Sequence, residues 1–169
     1  MAEPTTVRHP DGSIRVAGIC SSLRKGSYTQ IALIRALKAA ERVGTAIDLI
    51  ALLELELSVY DADVDPATAG DAEELADRVR EADAILLGSP MYHDSYSSSL
   101  KTVLDYCGFD EFEGKTVSLL AIAGGSFSVT TLEHIRSVCR ALRPGDSPLG
   151  GRGRLLRRVR ERRIHRSRH

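Results

Sequence analysis

Residues 17–30 read AGICSSLRKGSYTQ and are the most informative stretch of the chain. An apolar run from Ile14 to Ile19 stops at small hydroxyl residues, and an apolar-periodic segment that begins at Ile31 follows at once. This order predicts a buried strand, a tight loop and the N-terminus of a helix. Such a loop presents unpaired backbone N–H groups and the positive end of a helix dipole, both of which suit a phosphate group.

The same loop has a simpler interpretation, in which its hydroxyl groups only cap the helix. Serines before a helix are more often caps than ligand contacts. Here, however, Ser21, Ser22, Ser27 and Thr29 surround Arg24, and one helix needs only one cap. The guanidinium adds a fork of donors that matches phosphate oxygens. We therefore predict a phosphate-binding loop.

Length and composition describe an ordinary globular domain. The chain has 169 residues and is 43% hydrophobic, which predicts one domain. No apolar run reaches the roughly 18 residues of a membrane span, and the N-terminus lacks a basic-then-apolar signal pattern, so we expect a cytoplasmic protein without membrane contact. The three cysteines are odd in number and lack metal-type spacing, which predicts small buried thiols and no metal site.

The rest of the chain alternates short apolar runs with amphipathic segments. We predict strands at residues 14–19, 46–52, 84–88 and 116–122. Helices are predicted at residues 28–43, 71–81, 99–106 and 130–142. The third and fourth strands are continuously apolar, as in parallel sheets that are covered on both faces. The chain therefore belongs to the α/β class, with a doubly wound parallel sheet in three layers.

In such a sheet the loops after the first, third and fourth strands share one edge, where ligands bind. They are residues 21–29, 89–98 and 124–127. The second loop offers rigid Pro90 and amphipathic Tyr92 to a flat heteroaromatic ring, and Gly124 with Gly125 lets the backbone approach that ring. A ligand with a phosphate at one end and a planar ring at the other is a mononucleotide, which we therefore predict as the ligand of this edge. The absence of G-x-G-x-x-G and of G-x-x-x-x-G-K-[ST] argues against the usual dinucleotide and P-loop sites.

These motifs together resemble the NADPH-dependent FMN reductase family. Residues 21–29, SSLRKGSYT, resemble its G-S-x-R-x-x-S-x-[NT] phosphate loop, and residues 89–95, SPMYHDS, resemble its S-P-x-Y-x-x-S flavin-ring loop. Residues 100–105, LKTVLD, and 123–125, AGG, match further family stretches in the right order. The resemblance covers about residues 14–143. Ser21 stands where the family often has glycine, and Thr29 where asparagine is common.

The resemblance implies a flavodoxin-like fold with strand order 2-1-3-4-5 and the cofactors FMN and NADPH. It also implies hydride transfer from NADPH to bound FMN and on to a small acceptor such as a flavin or a quinone, with no catalytic side chain named. Family members commonly pair as dimers. An FMN-binding electron carrier without reductase activity and a truncated inactive chain are the alternatives. The residues that the resemblance assigns to the phosphate are Ser22, Arg24, Ser27 and Thr29. Those assigned to the flavin ring are Pro90, Met91, Tyr92, His93, Gly124, Gly125 and Ser126.

The chain departs from the family pattern after Arg143. Residues 1–143 carry 14 Lys and Arg against 21 Asp and Glu, whereas residues 144–169 carry 9 Arg and two acids. We expect a leader at 1–13, an FMN-binding domain at 14–143 and a basic tail at 144–169. The expected fifth strand, near 145–155, is replaced by a Gly-, Pro- and Arg-rich sequence. A shifted reading frame is the leading explanation, and a basic module that binds nucleic acid or an acidic partner is the less favoured alternative.

Overall fold

A computed structural model describes residues 12–125 and 128–142. Its strands are β1 (Arg15–Cys20), β2 (Ala46–Ala51), β3 (Ala84–Tyr92), β4 (Ser95–Tyr96) and β5 (Thr116–Ile122). Its helices are α1 (Tyr28–Glu41), α2 (Ala72–Glu81), α3 (Ser98–Tyr106), α4 (Phe109–Phe112) and α5 (Val129–Ala141). Within these residues, no helix combines the length and the apolarity that a bilayer span needs.

Four strands form a parallel sheet in the order β2-β1-β3-β5. Strand β4 is a two-residue antiparallel partner of the end of β3. The order confirms the predicted flavodoxin-like, doubly wound α/β fold. The expected place of a further strand, residues 145–155, lies outside the described residues, and the proposed boundaries of leader, domain and tail stay predictions.

Helices cover both faces of the sheet, which makes three layers. On one face, Leu33 and Leu37 of α1 pack with Cys20. On the other face, α2, α3 and α5 close over the alternate residues Ala17 and Ile19 of β1. Because strand side chains alternate between faces, β1 contributes to both cores. The buried cysteines confirm the prediction of small core thiols.

Gly18 allows α1 to lie close to the sheet. A Cβ atom at this position would lie 2.7 Å from Cδ1 of Leu37, closer than any side chain tolerates. The helix begins where the hydroxyl of Ser27 accepts the N–H of Gln30, at 3.1 Å. The C-terminal end of α1 is followed by Gly44, whose φ of +91° is a left-handed conformation that favours glycine.

The predicted elements agree with the structure to within two residues, with one exception at β3. The sequence predicts that this strand ends at Gly88 and that a loop spans 89–98, which is wrong. Strand β3 continues to Tyr92 and turns back through β4. The extension is possible because β1 pairs with β3 only as far as Gly88. Beyond that point Pro90, which has no N–H to donate, has a strand partner only in β5.

Candidate functional site

The loops that follow β1, β3 and β5 meet at the carboxyl edge of the sheet, as the sequence predicts. The register aligns Cys20 with Gly88 and Gly88 with Leu120, so the three strands run side by side to this edge. The N–H of Ser21 donates to the carbonyl of Gly88 at 2.9 Å. The start of the first loop is therefore attached to β3. We call this edge, with its three loops, the rim.

The first loop combines buried hydroxyl groups with one exposed arginine. Ser22 and Ser27 are buried, whereas Arg24 and the residues beside it are exposed. Only one hydroxyl in the loop, that of Ser27, caps α1. Gly26 has φ +64°, and a Cβ there would meet nothing within 4 Å. The loop therefore makes a left-handed turn at Gly26 that faces open space. The exposed Arg24 lies in the same loop, where its side chain could reach an anion at the N-terminus of α1.

One of the predicted phosphate contacts, Thr29, lies deeper than the sequence suggests. Thr29 is 2% exposed, and its methyl group lies close to the backbone of Gly88. The thiol of Cys20 lies beneath the loop. Burial raises the pKa of this thiol, while hydrogen bonds from the backbone of Ser22 and the side chain of Ser27 oppose the rise. The floor of the loop is therefore neutral, and the positive charges of the loop lie on its exposed side.

The second loop is the tip of the β3–β4 hairpin. His93 and Asp94 have φ of 49° and 60°, and positive φ at both central residues is the mark of a type I′ turn. Met91 pairs with Tyr96, and Tyr92 pairs with Ser95. The Tyr92 ring is 56% exposed at the rim. The hairpin thus presents one aromatic side chain on a backbone that strand pairing holds in place.

The hairpin is joined to the third loop's helix through a side-chain contact. Oγ of Ser95 lies 3.0 Å from Nδ1 of His134 on α5. At the start of α5, the hydroxyl of Ser128 donates to the carbonyl of Ala121 at 3.2 Å. The hairpin is therefore connected to α5, the helix that follows the third loop, by a side-chain contact as well as by the pairing between β3 and β5.

The third loop leaves open space in front of its glycines. Gly124 and Gly125 are exposed, and a Cβ on either would meet nothing within 4 Å. A planar ligand could therefore lie directly against this backbone. Ser126, the last residue assigned to the ring, lies outside the described residues.

A group of buried serines beneath the rim was missed by the sequence analysis. Ser21, Ser89 and Ser97 are each 5% exposed or less, and Ser99 is half-buried. Oγ of Ser21 lies 2.7 Å from Oγ of Ser97, which is 76 residues away in the chain. The signal for Ser97 was its place just before an apolar-periodic segment, since it caps α3. No sequence pattern pairs it with Ser21.

The comparison with known proteins identifies the family of this chain. The model of the family "NADPH-dependent FMN reductase" matches residues 14–147, and the chain belongs to this family. The resemblance read from the loop motifs is thereby confirmed. An FMN-dependent NADPH-azoreductase of Staphylococcus saprophyticus is 46% identical over 68 residues, which are 40% of this chain and 36% of that protein. An enzyme of the same description from Staphylococcus aureus is 40% identical over 70 residues, or 41% and 37% of the two chains.

The matched stretch thus spans little more than a third of the length of these curated relatives. Among solved structures, the flavoenzyme NAD(P)H:(acceptor) oxidoreductase (FerB) from Paracoccus denitrificans superposes with a TM-score of 0.66. The alignment covers 78% of this chain and 73% of that one at 22% identity. This likeness confirms the fold.

Proposed function

We propose that this member of the family binds FMN at the rim and acts as an NAD(P)H-dependent oxidoreductase that reduces a small acceptor. The observation that carries the proposal is the meeting of a phosphate-type loop, an aromatic hairpin and a glycine pair at one edge of a parallel sheet. Azo compounds, quinones and free flavins are the acceptor classes to test. NADPH is the expected hydride donor.

The first loop would hold the phosphate end. Arg24 supplies the charge, and the N–H groups of the first turn of α1 supply neutral donors at the positive end of the helix. The hydroxyl of Ser27 accepts from the N–H of Gln30 and contacts the Cys20 thiol, and its proton would turn from the sulfur to a bound phosphate. Since a bound phosphate would lie above a neutral floor, its charge would be met mainly by Arg24. The set proposed for the phosphate is Ser22, Arg24, Ser27 and Thr29.

The hairpin and the glycine loop would hold the ring. Tyr92 offers an exposed face for stacking, and the open space at Gly124 and Gly125 would accept a flat surface. Both features fit a planar cofactor better than a bulky saturated one. When bound, FMN supplies the hydride chemistry, and the protein residues orient it and limit its access to water. The set proposed for the ring is Pro90, Met91, Tyr92, His93, Gly124, Gly125 and Ser126.

A binding titration tests the cofactor. FMN fluorescence is followed as purified, flavin-free protein is added, with Arg24→Ala as the test variant. Arg35→Ala is the matched control, because Arg35 is exposed on α1 two turns below the loop. We expect saturable binding that weakens about tenfold or more in Arg24→Ala and stays unchanged in Arg35→Ala, since a charge-assisted contact is lost only in the first. Equal weakening in both variants would contradict the phosphate assignment.

A turnover assay tests the reaction. The FMN-loaded protein is mixed with NADPH and a quinone or an azo dye, and NADPH absorbance is followed. Steady NADPH consumption that requires both FMN and the acceptor supports an oxidoreductase. FMN binding without NADPH consumption would instead favour an electron carrier. Gel filtration of the loaded protein tests whether it forms the homodimer that is common in the family.

A further inference from the structure

The buried serines beneath the rim form a continuous set of hydroxyl contacts, here called the serine cluster: Ser21, Ser89, Ser97 and Ser99. The hydroxyl of Ser99 donates to the carbonyl of Ser21 at 2.6 Å and lies 2.9 Å from Oγ of Ser97. The N–H of Ser97 donates to Oγ of Ser89 at 3.0 Å, and the hydroxyl of Ser89 donates to the carbonyl of Pro90 at 2.8 Å. The cluster thus joins the first loop, the end of β3 and the start of α3.

Ser21 is the residue through which this cluster reaches the phosphate loop. Its N–H is held by Gly88, its hydroxyl contacts Ser97, and its carbonyl accepts from Ser99. The peptide that precedes Ser21 is therefore held by β3, and the peptide that links Ser21 to Ser22 is held by α3 through its carbonyl. Ser22 is the first residue proposed to contact the phosphate, so the direction of this peptide sets how the loop begins.

Helix capping does not account for Ser99. Ser97 is the N-cap of α3, because its side chain accepts from the N–H of Leu100. Ser99 lies inside the first turn, where alanine would serve the helix better than serine. Its hydroxyl instead donates to the carbonyl of Ser21, which lies 78 residues away in the chain. The Ser99 hydroxyl thus connects the first turn of α3 to the first loop.

We propose that Ser99 is a positioning residue that orients the phosphate loop through the carbonyl of Ser21. This inference rests on the proposed function, in which that loop binds the phosphate of FMN. Ser99 lies on the helix that follows the ring-binding hairpin, yet its removal should affect mainly the phosphate end. Without the Ser99 hydroxyl, the Ser21 carbonyl loses its donor on α3 and the peptide that follows Ser21 is less constrained.

Comparison of FMN with riboflavin separates this role from a general structural one, because riboflavin lacks only the phosphate. The quantity measured is the ratio of the riboflavin Kd to the FMN Kd. We expect Ser99→Ala to weaken FMN binding about fivefold or more, as for loss of one buried hydrogen bond, and to leave riboflavin binding within about twofold. The ratio should therefore fall. Ser98→Ala is the matched control, since Ser98 is the exposed neighbour in the same helical turn, and its ratio should stay at the wild-type value.

A second pair of variants keeps the test independent of shape. Ser99→Thr retains the hydroxyl and Ser99→Val replaces it with a methyl group, and the two side chains are otherwise alike. The ratio should stay near the wild-type value in Ser99→Thr and fall in Ser99→Val. Thermal unfolding of each variant checks that it is folded.

Two results would overturn the inference. If Ser99→Ala and Ser99→Val weaken FMN and riboflavin equally, or weaken neither, Ser99 does not position the phosphate loop. If the wild-type protein itself binds riboflavin as tightly as FMN, the phosphate assignment fails, and the proposed function fails with it. The wild-type ratio therefore tests the site, and the change in that ratio tests Ser99.

Discussion

A methyl group added at Gly18 should force α1 away from the sheet or push Leu37 out of its preferred rotamer. The ideal Cβ would lie 2.7 Å from Cδ1 of Leu37 and 3.1 Å from both Cγ and Cδ2. Leu37 is 1% exposed, so its side chain has little room to move aside. Overpacking of this kind costs about 1–3 kcal/mol. We therefore expect Gly18→Ala to lower the free energy of unfolding by that amount, measured by urea denaturation with far-UV circular dichroism.

A double variant gives the sharper test, because the two changes should compensate. Leu37→Ala alone leaves a cavity and should cost about 2–5 kcal/mol. In Gly18→Ala/Leu37→Ala the new methyl group faces the vacated space, so the combined loss should be smaller than the sum by about 1 kcal/mol or more. Gly124→Ala is the control for stability, since its Cβ would meet nothing within 4 Å. Losses that add to within about 0.5 kcal/mol would refute the close contact between α1 and β1.

Three further predictions concern charged and titratable groups. Asp48→Asn should lower the free energy of unfolding by about 1–2 kcal/mol, because Asp48 accepts two bonds from Arg78, at 2.6 and 3.0 Å, in a half-buried pair. Asp77→Asn, in an exposed pair, should change the free energy of unfolding by less than about 0.5 kcal/mol in the same urea assay. Burial lowers the pKa of Lys115 from 10.5 to about 8, so between these pH values the unfolded chain keeps a proton that the folded chain has released. The stability of the wild type relative to Lys115→Met should therefore rise with pH in this window, which thermal melts would measure. Burial also raises the pKa of the thiols of Cys20, Cys107 and Cys139. All three should therefore react with a disulfide reagent at pH 8 only after unfolding. A thiol that reacts rapidly in the folded protein would contradict this prediction.

The fold could be predicted because its signals are local. The apolar run of β5 and the glycine after α1 are visible in a short window of sequence, and both appear where expected. The hairpin was missed because its turn residues, His93 and Asp94, are not the Asn-Gly or Asp-Gly pair that usually announces a type I′ turn. In addition, the apolar run ends at Gly88, whereas β3 continues beside β5 as far as Pro90.

The candidate site could be predicted only in part, because its supporting contacts are distant in sequence. The loop that carries Arg24 has a recognisable composition, and so does the segment around Tyr92. In contrast, the bonds from Ser97 and Ser99 to Ser21 depend on how α3 lies against β1, which only the three-dimensional packing determines. A serine-rich helix start therefore looks the same in sequence whether it caps a helix or connects two loops.

The chemical type of the bonds that hold the rim together has a practical consequence. Hydroxyl and backbone groups without formal charge connect the first two loops, as in the bonds of Ser21 with Gly88 and Ser97. Dissolved ions screen interactions between charges and leave such contacts almost unaffected. The ionic strength of the buffer will therefore act on the attraction between Arg24 and an incoming anion, while the scaffold that presents Arg24 keeps its shape.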